Sequence, residues 1–187
     1  MKDRYYLKPE ICIVLFAICL GGFFRLYDLG SNSLGSDEAV FYWSSTLFFQ
    51  PLKNVFAKYF YHPLFMYYVL SIWRWEITPE WLFRLIPAFV GILSIWLEYK
   101  IGSLLIGKEG GAVCALILSL SPFHIYLSQY YPLYSPMIFF ILCSIYFFSR
   151  FVLGDTCLRC CFFYVLFTGI SFNIHYQAIL FILFQNL

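Results

Sequence analysis

Asp37 and Glu38 stand side by side just past the first apolar run of a chain in which only 12% of residues are charged. A carboxylate at the boundary between lipid and water can accept the proton of an attacking hydroxyl, provided its pKa and reach suit the task. The same pair also fits a structural role, because acids in the first turn of a helix are stabilised by its dipole by about 0.3–1 kcal/mol each. From the residues alone, both readings stand open.

The elements that must position this pair are those of a membrane protein. Of the 187 residues, 62% are apolar and 24% aromatic, and the mean hydropathy is +0.78. That is more apolar surface than a soluble domain of this length buries, so lipid must cover much of it. At about 20 residues per crossing plus loops, five or six spans are the ceiling. A net charge of +2 without a basic run argues against a nucleic-acid partner. Five of the seven cysteines lie in or beside apolar runs, where Cys behaves as a small hydrophobe. The run Cys157-Leu-Arg-Cys160-Cys161 has no His or second pair beside it to complete a metal-ligand set.

Along the chain, Lys2, Arg4 and Lys8 precede an apolar run over 11–24, which Arg25 extends to Tyr27 by snorkelling. No small-x-small cleavage site follows convincingly, so this run is expected to be an uncleaved first span. Ser36 is expected to cap a helix with Asp37 and Glu38 in its first turn and Val40, Trp43 and Leu47 on one face, ending at Pro51. Leu52, Val55, Phe56, Tyr59 and Phe60 then recur at helical spacing, with Lys53, Asn54 and Lys58 on the opposite face. This is the pattern of a helix lying in the interface. The fold class predicted is therefore all-α: a polytopic transmembrane helical protein with two juxtamembrane amphipathic helices in its first outer loop.

Segment 62–75 has an uncharged part of only about a dozen residues, the length of an interfacial or re-entrant piece. Full spans are predicted at 82–105, 111–127, 133–151 and 161–183. If 62–75 does not cross, seven basic residues (2, 4, 8, 100, 108, 150 and 159) share the N-terminal side against five (25, 53, 58, 74 and 84) opposite. If it crosses, the balance inverts. The positive-inside rule thus favours five spans, with a cytoplasmic N-terminus and with Asp37 and the 128–135 loop on the outer side.

The ordered motifs Arg25-Leu-Tyr-Asp-Leu-Gly30, Ser33-Leu-Gly-Ser-Asp-Glu-Ala39, His62-Pro-Leu64, Arg84-Leu-Ile-Pro-Ala-Phe-Val-Gly91, Leu120-Ser-Pro-Phe-His-Ile-Tyr-Leu-Ser-Gln129, Tyr146-Phe-Phe-Ser-Arg150 and His175-Tyr176 cover nearly the whole chain. In order and spacing they resemble the lipid-linked-sugar glycosyltransferases of the GT-C class. The likeness is to the family 39 and RgtA/B/C/D-like group, which includes protein O-mannosyltransferases and aminoarabinose transferases. The chain departs from the pattern at Gly35, where relatives often carry Trp, and at Leu64, where they carry a second Pro. At Gln129-Tyr130-Tyr131-Pro132 they carry an acid and an Arg, and at Ser135 some place an Asp.

The resemblance implies an inverting membrane glycosyltransferase that moves a sugar from a polyprenyl-phosphate donor to a hydroxyl of a lipid, glycan or protein acceptor. It implies a plasma-membrane location with the active site on the outer face. It makes Asp37 the general base, with Glu38 orienting it or serving a structural role. Holding the leaving phosphate requires cationic or hydrogen-bonding groups, and His62 and Arg84 are the candidates, with Arg25 and Lys58 behind them. Gln129, Tyr130 and Tyr134, with Tyr131, are candidates to line a sugar pocket. A divalent cation stays open as a cofactor. His124 and His175, in apolar runs, are expected to be hydrogen-bonded between helices. The chain itself reads as the N-terminal part of such an enzyme domain. Two other functions fit the same composition. One is a transporter or lipid flippase, for which Glu98 is the intramembrane carboxylate. The other is a catalytically inactive remnant of the same family.

Overall fold

A computed structural model of the chain describes residues 8–31, 33–36, 38–39, 63, 65, 69, 79–130, 132–155 and 157–185. Its helices are α1 (Pro9–Leu26), α2 (Glu80–Leu120), α3 (Pro122–Tyr130), α4 (Tyr134–Val152), α5 (Leu158–Ile174) and α6 (Ala178–Gln185), and no strand occurs among the described residues. Three stretches among those residues, α1, 81–120 and α4, are long and apolar enough to cross a membrane. The 18 residues of α1 reach about 27 Å at 1.5 Å per residue, close to the hydrocarbon thickness. Large apolar side chains such as Phe16, Leu93, Ile117 and Val165 point outward. The chain is an all-α, polytopic integral membrane protein.

Pro9 opens α1, at a position where a missing N–H costs nothing. The helix ends at Tyr27, and Asp28 takes a positive φ of 61° to turn the chain, with the Ser31 N–H and hydroxyl both donating to its carbonyl. In α2, Gly107 (φ 87°, ψ 167°) occupies a backbone region open essentially to glycine alone. The helix folds back there into two antiparallel arms, 80–106 and 108–120. The arms touch so closely that a Cβ on Gly102 would come 2.7 Å from the Gly111 Cα, and one on Gly111 would come 2.6 Å from the Tyr99 carbonyl oxygen. The two spans expected on either side of the Gly107-Lys-Glu-Gly-Gly turn are these arms. Further along the same arms, Ala17 of α1 packs with Ile95 and Ala115, one from each arm, and all three are fully buried.

Two expected spans are broken. The stretch 111–127 stops at Ser121, whose ψ of 110° is the extended backbone imposed by the following proline, and α3 restarts at Pro122. The stretch 161–183 breaks at His175, where the imidazole Nδ1 accepts the Gln177 N–H and offers the backbone an alternative to continuing the helix. α4 and α5 form a second antiparallel pair turned at Gly154 (φ 107°). They are joined by a 2.7 Å bond between the Ser144 and Thr168 hydroxyls and by stacked rings of Phe140, Phe147, Phe163 and Phe167. In a membrane such hydroxyl pairs and close packing hold helices together where hydrophobicity cannot.

The chain leaves α1 and enters α2 at one end of the bundle, because Arg84 of α2 donates to the Leu29 carbonyl at 2.8 Å. That is the arrangement a five-span reading requires. Of segment 62–75 the structure describes Pro63, Phe65 and Val69. Val69 packs at this same end, on the core of Phe83, Leu133, Met137 and Ile174. The juxtamembrane helices expected over 36–50 and 52–60 lie outside the described residues except at Ser36, Glu38 and Ala39.

The turn supplies a direct test. Gly111→Ala drives a methyl into backbone atoms and is expected to destabilise by about 1–3 kcal/mol, as overpacking does. Gly110→Ala meets only the side chain of the largely exposed Ile106 and is expected to be near neutral. Thermal melts of the two variants in detergent distinguish them, and equal melting points would refute the close arm contact.

Candidate functional site

The acidic segment enters the bundle through a helix start. The Ala39 N–H donates to the Gly35 carbonyl at 2.8 Å, and Glu38 reaches back so that its Oε2 accepts the Gly35 N–H at 2.9 Å. Gly35 is thus the cap and Ser36 the first helical residue, a one-residue correction to the expected Ser36 cap. The cause is that Glu38, three residues on, supplies the reciprocal bond of a capping box.

Glu38 then turns into the protein. Its carboxylate is 2% exposed and faces Arg84, which is 1% exposed, fork to fork: Nε donates to Oε1 at 3.1 Å and Nη2 to Oε2 at 2.9 Å. Two further Arg84 donors meet the Leu29 carbonyl at 2.8 Å and the Ser33 carbonyl at 3.2 Å. The Tyr130 ring lies 5.1 Å from the guanidinium carbon, within cation–π range. Arg84 sits in the second turn of α2 yet does not reach outward to headgroups. Its charge is spent on the segment that carries Asp37 and Glu38.

Arg25 forms a second buried centre, with no exposed surface. The sequence reading had it snorkelling outward; instead it turns inward, because acceptors converge on it. Nη1 donates to the carbonyls of Gly21 (2.9 Å) and Ser119 (3.1 Å), and Nη2 to the Leu118 carbonyl (3.0 Å) and to His124 Nδ1 (2.9 Å). Leu118 and Ser119 close the second arm of α2, so the cation sits at the negative end of a helix dipole. Because Arg25 always donates, His124 must accept at Nδ1 and carry its proton on Nε2. Ser128 donates to the His124 carbonyl at 2.7 Å, and Ser135 donates to the Pro87 carbonyl at 2.8 Å, 3.5 Å from the Ser128 hydroxyl. Among the described residues, Arg25 Nε and His124 Nε2 are buried without a partner.

The other sequence candidates gather at the same end. The Gln129 amide donates to the carbonyls of Phe24 (2.9 Å) and Tyr27 (3.0 Å), closing the end of α1. Tyr134 stacks near His175, their ring centroids 5.0 Å apart. The structure therefore brings Glu38, Arg84 and Tyr130 into contact, with Gln129 on the end of α1 and Tyr134 beside His175. Asp37, His62, Lys58 and Tyr131 lie outside the described residues. Among the described residues there is no group of three or more His, Cys, Asp or Glu side chains able to hold a metal ion. Sequence reasoning missed that Glu38 and Arg84 pair with each other, although a lone acid and a lone base at the same predicted boundary were the available signal.

With this geometry in hand, comparison with known proteins adds one finding. A family model described as dolichyl-phosphate-mannose-protein mannosyltransferase matches residues 61–185, about two-thirds of the chain. The match takes in Arg84, Gln129, Tyr130 and Tyr134 and begins beyond Asp37 and Glu38. No curated protein and no solved structure matches.

Breaking a buried pair from one side leaves an uncompensated charge. Glu38→Ala and Arg84→Met are each expected to cost about 3–5 kcal/mol, and the double variant to cost less than the two added together. Denaturation of the four proteins in one detergent measures the coupling, and strict additivity would show that the two side chains act independently.

Proposed function

Because the chain belongs to the dolichyl-phosphate-mannose-protein mannosyltransferase family, and so is a membrane glycosyltransferase of the GT-C type, we propose that it transfers a sugar from a polyprenyl-phosphate donor to an acceptor hydroxyl. The reaction takes place at the outer face of the cytoplasmic membrane, with Asp37 as general base. The observation that carries this reading is the Glu38–Arg84 clamp, which ties the backbone next to Asp37 to the start of α2.

In this mechanism the acceptor hydroxyl gives its proton to the Asp37 carboxylate as its oxygen attacks the anomeric carbon from the face opposite the phosphate. The bond from that carbon to the phosphate oxygen breaks, its electron pair leaves with the polyprenyl phosphate, and the anomeric configuration inverts. A positioned base contributes about 10²–10⁴-fold to such a step. Glu38 and Arg84 act as positioning residues, since each is already engaged by the other. His62 meets the leaving phosphate. Gln129, whose amide nitrogen is engaged by α1, offers its amide oxygen to a sugar hydroxyl, beside the rings of Tyr130 and Tyr134. The acceptor is a lipid, glycan or protein hydroxyl.

Asp37→Asn is expected to lower transfer by at least about 100-fold, the low end for a lost general base, with membrane insertion and melting unchanged. The assay follows a radiolabelled sugar from polyprenyl phosphate into acceptor. Full activity of the variant would remove Asp37 from the role. Substrate flux across proteoliposomes without any glycosyl transfer by the natural protein would replace the enzyme reading with a transport one.

A further inference from the structure

Three cysteines, Cys157, Cys160 and Cys161, stand together where α5 begins, and the reaction uses none of them. Cys160 lies 14 residues before Ile174, about 21 Å along the helix at 1.5 Å per residue, and it is Ile174 that packs on Phe83 beside Arg84. The cluster is therefore remote from the acidic pair. α4 gives way to α5 through the Gly154 turn, where Arg150 pairs with Asp155 and both side chains are partly exposed. Arg159 is exposed as well, so this turn meets water rather than hydrocarbon.

Cys157 is the cap of α5 and Cys160 its third residue. The Cys160 N–H donates to the Cys157 carbonyl at 2.8 Å, which closes a four-residue turn. Such a turn holds its first and last Cα atoms within about 7 Å, the range over which a disulfide forms without moving the backbone. The cap and the third residue are also the two positions whose side chains reach toward one another in a capping box. The Cys160 thiol lies close enough to the Cys157 sulfur to interact with it electrostatically, and it donates a hydrogen bond to the Asp155 carboxylate. Access separates the pair: Cys157 is exposed, whereas Cys160 is 4% exposed. Cys161, one residue on, is turned about 100° around the helix from Cys160. The cluster is not a metal site, since no group of three or more such ligands occurs among the described residues. What two neighbouring thiols of unequal access are suited to is thiol–disulfide exchange, with one sulfur to meet the substrate and the other to resolve the adduct.

We propose that Cys157 and Cys160 form a thiol–disulfide exchange site whose substrate is a low-molecular-weight disulfide of the glutathione type. Cys157 loses its proton to water, and the thiolate attacks one sulfur of that disulfide. The S–S bond breaks, its electron pair leaves with the second sulfur, and a mixed disulfide remains on Cys157. Cys160 then attacks the Cys157 sulfur and passes its proton to the Asp155 carboxylate and on to water. The bond to the small sulfur breaks, a second small thiolate leaves, and the Cys157–Cys160 bond forms. Each departing thiolate takes up a proton from water, so two cysteines are oxidised by two electrons and one small disulfide is reduced to two thiols. Excess small thiol runs the same steps backward. This site is independent of the sugar donor's and survives any reassignment of the reaction.

The test incubates the full chain in detergent with glutathione disulfide, blocks free thiols with an alkylating reagent at successive times, and locates each bond by fragmentation mass spectrometry of unreduced peptides. The natural protein is expected to form a Cys157–Cys160 disulfide that reduced glutathione reverses. Cys160→Ser is expected to stop with glutathione on Cys157, because nothing resolves the adduct. Cys157→Ser, which keeps the fold because serine is a favoured helix cap, is expected to lose both the disulfide and the adduct and to leave Cys160 a free thiol. Cys161→Ser is expected to keep the disulfide. Absence of the Cys157–Cys160 bond in the natural protein, its loss in Cys161→Ser, or glutathione carried by Cys160 in Cys157→Ser overturns the proposal, and the first of these readings needs no variant to fold.

Discussion

A guanidinium removed from water must find an oxygen for its N–H groups, and at Arg84 those oxygens come from Leu29, Ser33 and both carboxylate atoms of Glu38. The cost of desolvating the charge is met only if the loop after α1 folds back onto the start of α2. The rest of the acidic end follows from that return. Once the loop is held, Gln129 can close the last turn of α1 and Tyr130 can cover the guanidinium. Arg25 does for the end of α2 what Gln129 does for the end of α1, so each of these two C-termini is completed by a side chain from a different helix. Free carbonyls at a helix end are tolerable in water and costly near hydrocarbon, which is why these caps are donors.

Away from that end, the bundle relies on closeness rather than on polarity. Gly102 and Gly111 let the two arms of α2 meet at backbone distance, and Ala17 and Ala115 let α1 settle against them. The second helical pair uses large rings instead, with a single hydroxyl pair at Ser144 and Thr168. α5 shows no strongly apolar stripe, since Phe162 and Val165 on its outer side are as apolar as the phenylalanines it buries. For a helix whose outer solvent is lipid, that uniformity is expected.

The apolar runs made most of the architecture legible in advance. Span length, the glycine turns and the first three-fifths of α2 follow from composition and local backbone rules, so the helices over 82–105 and 133–151 lie where the hydrophobic pattern put them. The breaks at Ser121 and His175 were weaker signals. Pro122 and a histidine able to bond its own backbone each sit inside an otherwise unbroken apolar run, and hydropathy averages over both. The candidate site was legible by neighbourhood but not by direction. A basic residue near a span end looks the same in sequence whether it reaches out or turns in. The choice is made by acceptors 46 to 99 residues away, beyond the reach of local pattern. The cap at Gly35 rather than Ser36 escapes local pattern for a related reason, because Gly35 has no side chain to mark it and Glu38, three residues on, is the group that reaches back.

The inward turn of Arg25 also sets an order of events in the making of the protein. Its helix is synthesised first, but the Ser119 carbonyl that receives its guanidinium lies 94 residues later in the chain. At 5–20 residues per second, Arg25 waits roughly 5 to 19 s after synthesis before that acceptor exists. During that interval the charge has water or headgroups as its only strong partners outside its own helix. The first helix to be made therefore gains its α2 partners only when the second arm arrives, by which time its neighbour in the bundle is complete.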